Sequence, residues 1–139
     1  MNPVDVTPAD VLIVTPGDPL GIGPEVTVAA LRAVDVGNVL VLGDVAAFSR
    51  AGGDVLVAKS GGRIRVRAPA DDTLPVEWAA VVEGAQLAMA GAGRALVTGP
   101  IHKARLAARG FPFTGHTDLL ASIAGVDVVM GFVGGGVRV

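Results

Sequence analysis

No cysteine occurs among the 139 residues. That removes disulfides, thiolate nucleophiles and thiolate-bound zinc, and it fits a reducing compartment. Tyrosine is absent too, and one Trp and four Phe are the only aromatics, so a core has to be built from Val, Leu, Ile and Ala. The only histidines are His102 and His116, too few for the three or four ligands a transition metal normally takes, so such a site needs residues from elsewhere. No basic residue precedes Arg32, so the basic start of a secretory signal is missing. No apolar run approaches the ~18 residues of a membrane span. The net charge of −2, with no long block of either sign, lacks the basic surplus of a duplex binder. These absences describe a cytoplasmic protein with neither nucleic acid nor membrane as its partner.

Hydrophobic residues make up 51% of the chain and charged residues 17%, below the ~25% charged that is typical. The length suits one domain. Val11–Thr15 is a short β-branched run of the kind buried on both faces of a parallel sheet. Pro24 and Glu25 open a helix predicted to reach Val34, since Pro suits the first position and a carboxylate suits the positive end of the helix dipole. A strand over Val39–Leu42 follows, then a short helix capped by Asp44 and ended by Gly52-Gly53. The apolar residues 55–58 predict a third strand. The alternation Arg63-Ile64-Arg65-Val66-Arg67 predicts a half-exposed strand near a sheet edge. From Pro75 a long helix carrying Trp78 as a packing residue is expected to run to Gly91, followed by a buried strand over Ala95–Thr98. Helices over Ile101–Arg109 and Thr117–Gly125 and a strand over Val126–Val133 complete the pattern. Alternating strands and helices imply an α/β fold with helices on both faces of a mostly parallel sheet. A further strand begins at Val137-Arg138-Val139, the pattern expected of a truncated chain. No internal domain boundary is evident in residues 1–139.

Three segments carry residues suited to ligand chemistry. Pro16-Gly17-Asp18-Pro19-Leu20-Gly21-Ile22-Gly23 joins a strand end to a helix start, where open α/β sheets place ligands. It is neither a dinucleotide fingerprint, since Val26 stands where the third glycine belongs, nor a P-loop, since no Gly-Lys-Ser/Thr follows. A tight structural turn is the competing reading. Thr98-Gly99-Pro100-Ile101-His102-Lys103 repeats that layout. Lys103 can reach an anion from the first turn of its helix or remain a solvated surface lysine, and His102 reads as a helix-end residue. In Thr114-Gly115-His116-Thr117-Asp118, Thr117 is a good N-cap, which puts His116 just outside a helix start, facing a bound anion. The basic residues Lys59, Arg63, Arg65 and Arg67 read as a solvated edge.

Taken in order, Thr15–Glu25, Leu96–Lys103 and Phe113–Ala121 resemble the three amino-terminal blocks of the 4-hydroxythreonine-4-phosphate dehydrogenases. The departures are Leu20 where Ala is usual and Asp118 where Glu is usual. The resemblance implies a three-layer fold similar to the isocitrate and isopropylmalate dehydrogenases, with residues 1–139 as the amino-terminal part of a two-lobed enzyme. It implies NAD-dependent oxidation, with decarboxylation, of 4-phosphooxy-L-threonine on the route to pyridoxal 5′-phosphate, by a homodimer. It also implies a divalent metal whose ligands lie beyond Val139. His116 and Thr117 are the substrate-binding residues carried over. Gly17, Asp18, Gly21, Gly23 and Glu25 are expected to line the cleft, with Lys103 as electrostatic support. No catalytic acid or base is assigned. Two alternatives remain open: a related dehydrogenase of a phosphorylated threonate or erythronate or of a cyclic dihydrodiol acid, and a non-catalytic remnant or small binding module.

Overall fold

The computed structural model describes residues 9–139. Four strands, β1 (Val11–Thr15), β2 (Asn38–Leu42), β3 (Ile64–Arg67) and β4 (Ala95–Thr98), form one sheet in the order β3-β2-β1-β4. Every pairing in it is parallel. The chain steps from β1 to β2 to β3 in one direction and then returns across the sheet to β4. Right-handed crossovers therefore place the connecting helices on opposite faces. α1 (Gly23–Ala33), α2 (Val45–Arg50) and α3 (Gly53–Lys59) cover one face, and α4 (Val76–Met89) covers the other. α5 (Lys103–Ala108) and α6 (His116–Ala124) pack against α4. The result is an α/β fold of three layers.

β1 shows why a continuous apolar strand belongs at the centre. Val14 joins Val28, Val39, Val41, Phe48 and Ile64 on the α1 side, while its neighbour Ile13 meets Leu42 and Ala80 on the α4 side. Both residues are buried because both faces are covered. Asp44 caps α2 by accepting a hydrogen bond from the Ala47 N–H at 2.8 Å. β3 lies at the sheet edge, as its alternation predicts. Its flanking arginines face outward, with Arg63 paired to Asp35 at 3.1 Å and Arg67 to Glu83 at 2.5 Å. Trp78 packs edge-on against Phe111, ring centroids 5.1 Å apart.

Four expectations are corrected. The strand over Ala95–Thr98 is not buried: β4 lies at the sheet edge, where Leu96 packs on the α4 side while Ala95 and Val97 are exposed. Residues 55–58 are not a strand; they lie within α3. Gly52, at φ +94°, turns the chain straight out of α2, and a helix brings Leu56 and Val57 together onto the α1-side core, which a strand would split between faces. Residues 126–132 form no strand either. Instead, Val133–Gly134 (β5) and Val137–Arg138 (β6) make a short antiparallel hairpin separate from the sheet. Thr117 is not the N-cap of α6: Gly115 is, and His116 is the first helical residue. The Asp118 carboxylate reaches back to the Thr114 hydroxyl and accepts from its N–H at 3.3 Å, which starts the helix earlier.

Candidate functional site

The strand order reverses between β1 and β4, and at such a switch point the loops leaving the carboxyl ends of two adjacent strands diverge. Here those loops are Pro16–Ile22 and Gly99–His102. They touch through their backbones. The Thr15 carbonyl accepts from the Gly99 N–H at 2.6 Å and the Pro100 carbonyl from the Asp18 N–H at 2.9 Å. A Cβ on Gly17, whose φ is +86°, would lie 2.2 Å from the Pro100 oxygen, and one on Gly23 would lie 1.7 Å from the Pro16 oxygen. Both glycines are therefore required for the chain to pack on itself. Gly21 and Glu25 line a crevice of ≈ 110 Å³ beside Arg50.

Asp18, 6% exposed, is the anchor of the first loop. One oxygen accepts from the Leu20 N–H at 2.9 Å, and the other pairs with Arg105 of α5. That pair ties the loop after β1 to the helix after β4. His102 caps α5, its Nδ1 accepting from the Arg105 N–H at 3.1 Å, in keeping with a helix-end role. Nothing in the sequence singles out Arg105; only the fold brings it to Asp18.

Lys103, the first residue of α5, reaches the start of α6. A Cβ on Gly115 would stand at ordinary contact distance from its Cε, 3.4 Å, and its Nζ, 3.6 Å, so the lysine lies against the backbone that opens α6. His116 is beside it. Burial, and secondly the Lys103 ammonium, hold the His116 imidazole below its ordinary pKa. Its Nε2 is shut off from solvent and has no hydrogen-bond partner among the described residues, an exception to the rule that buried polar atoms are paired. Thr117 is exposed on the same turn. Neutral imidazole, ammonium and the free N–H groups at the start of α6 together form an anion-favouring corner.

The family follows from the whole chain rather than from this corner alone. The family model for the pyridoxal phosphate biosynthetic protein PdxA matches residues 29–139. The chain belongs to the PdxA family. It is 35% identical to the 4-hydroxythreonine-4-phosphate dehydrogenase of Beijerinckia indica over 85% of this chain and 43% of that one. With the enzyme of the same name from Xanthomonas oryzae it shares 34% identity over 92% of this chain and 47% of the relative. The crystal structure of the Burkholderia phymatum 4-hydroxythreonine-4-phosphate dehydrogenase superposes with a TM-score of 0.68 at 29% identity, covering 92% of this chain and 48% of that one. The chain thus spans about half the length of the PdxA-family relatives it matches. No helix among the described residues is long and apolar enough to cross a membrane. Nor do any three His, Cys, Asp or Glu side chains among them stand where they would hold a metal ion together. The donors present do not fit the metal that the resemblance implies, and no step is assigned to one.

The lowered imidazole pKa has a measurable consequence. The folded state resists protonation of His116, so as pH falls below about 6.5 the unfolded state takes up the proton first and stability declines. Above that pH the group contributes nothing. In ring-proton NMR the His116 midpoint is expected below the ordinary imidazole value. Lys103→Met is expected to raise it part of the way back, because burial remains. A midpoint unchanged by that substitution would separate Lys103 from His116.

Proposed function

We propose that the chain serves NAD-dependent oxidation, with decarboxylation, of 4-phosphooxy-L-threonine, and that its share is to bind and orient the substrate. The observation that carries this reading is the buried, unpartnered Nε2 of His116 beside the Lys103 ammonium. A substrate oxygen placed there would supply the missing partner. Thr117, one residue on, would hydrogen-bond the same molecule, and Lys103 would balance its negative charge. NAD would accept the hydride when bound. The protein's contribution lies in position and electrostatics. The homodimer, the cytoplasmic location and the metal belong to this same proposal through the family resemblance.

The test uses the chain itself. Titration with 4-phosphooxy-L-threonine at millimolar concentration is expected to shift the amide signals of His116 and Thr117, and His116→Ala is expected to abolish the shift. Absence of any shift in the unsubstituted chain would overturn the reading. Comparison with phosphorylated threonate, which lacks the amino group, then separates the proposed substrate from its hydroxy-acid relatives.

A further inference from the structure

α5 has only 6 residues, too few for a helix to hold by its own hydrogen bonds, so its place and its rotation are set by what it touches. Leu106 pins it to Val81, Phe111 and Leu119 in the cluster against α4 and α6. A second constraint comes from a single residue of the loop after β1. The Asp18 N–H donates to the Pro100 carbonyl at 2.9 Å, and the Asp18 carboxylate pairs with Arg105. Asp18 is itself buried. It thus holds the chain at two points, one before Lys103 and one after it.

Lys103 and Arg105 are two positions apart, which at about 3.6 residues per turn sets their side chains roughly 200° apart around the helix. One reaches the start of α6, the other the loop after β1. A roll of α5 about the Leu106 anchor that released Arg105 from Asp18 would therefore also carry Lys103 away from Gly115 and His116. We infer that Asp18 and Arg105 are positioning residues for the substrate corner: their ion pair fixes the rotation of α5 and so holds the Lys103 ammonium against His116. Breaking the pair strips a buried carboxylate of its cation, which is costly, so α5 has one favoured rotation rather than several. The consequence for catalysis rests on the substrate reading given above. The measurement needs no substrate, so the two readings can fail separately.

The His116 imidazole reports where Lys103 stands. Burial and the Lys103 ammonium hold it below its ordinary pKa, and Asp118, on the same turn, is directed to Thr114. In ring-proton NMR of the chain, R105M and D18N are each expected to raise the His116 midpoint, in the direction of Lys103→Met and by less than that variant does. Their direct fields on the imidazole have opposite signs, since losing a cation favours the imidazolium and losing a carboxylate disfavours it. A rise in both variants therefore reports displacement of Lys103. R105K, which keeps the charge, is expected to move the midpoint least. In the Lys103→Met background neither R105M nor D18N is expected to raise it further, whereas a loosening that merely exposed His116 would raise it with or without the lysine. Arg105 is exposed along its outer side, so R105M keeps the fold even if D18N does not. Shifts of opposite sign in the two variants, no shift in R105M, or an equal rise once Lys103 is already Met would each overturn the inference.

Discussion

Gly23→Ala is expected to cost about 4 kcal/mol or more, a large share of the ~5–15 kcal/mol that holds a domain folded. Helix propensity alone argues the other way, since alanine is better than glycine in a helix by about 1 kcal/mol, and Gly23 is the first residue of α1 with no left-handed backbone to relieve. The cost is steric. The new Cβ would stand 1.7 Å from the Pro16 oxygen and 2.9 Å from its carbonyl carbon. These are backbone atoms, and Gly99 approaches the same oxygen so closely that a Cβ there would lie 2.1 Å from it. Pro16 is thus held by two neighbours, and the clash can be relieved only by moving β1, α1 or β4. Urea denaturation monitored by circular dichroism measures the loss. A midpoint equal to that of the parent chain would mean that the loop can be rebuilt around the methyl group, and the packing role of Gly23 would fail.

Leu106→Ala is expected to remove about 2–5 kcal/mol, but to act on a different part of the molecule. Leu106 is 1% exposed and packs with Val81, Phe111 and Leu119. That cluster is distinct from the two that flank the sheet, and it holds α5 and α6 against α4. Truncation leaves a cavity under the helices that carry Lys103, Arg105 and His116. Hydrogen exchange is expected to quicken first at the amides of α5 and α6, while β1 and β2 stay protected until global unfolding. Uniform acceleration in all of these elements would show instead that the three clusters form one cooperative unit.

The parts of the fold legible from sequence are those whose neighbours are supplied locally. β1 and β2 read as continuous apolar runs because helices cover the sheet there on both sides, and α1 announced itself through Pro24 and Glu25; β4 has the same apolar content but lies half-exposed at the sheet edge. The failures have a common cause. Val55–Ala58 has the composition of a strand, but the decision lay with Gly52 and with the core that Leu56 and Val57 join. Val126–Val133 has the apolar content of a strand, yet a strand exists only where another offers hydrogen bonds, and among the described residues only Phe132 and Val133 of this stretch find them, across the short hairpin. The candidate site divides in the same way. The Gly115-His116-Thr117 segment was visible because its chemistry is written consecutively. The Asp18–Arg105 pair joins residues 87 positions apart. No local pattern marks it.

The pairing of β1 with β4, Thr15 opposite Thr98, also sets a timetable. During synthesis at ~5–20 residues per second, β1 emerges roughly 4–17 s before the strand that completes its second edge. In that interval β2 can already lie along one edge of β1, because only α1 separates them in the chain. The other edge waits with its N–H and C=O groups unpaired, and closing the long intervening loop adds an entropic cost to the step. The corner holding Lys103 and His116 therefore takes shape only after β4 has emerged, and a ligand seated there would act on a molecule whose four-stranded sheet is already complete.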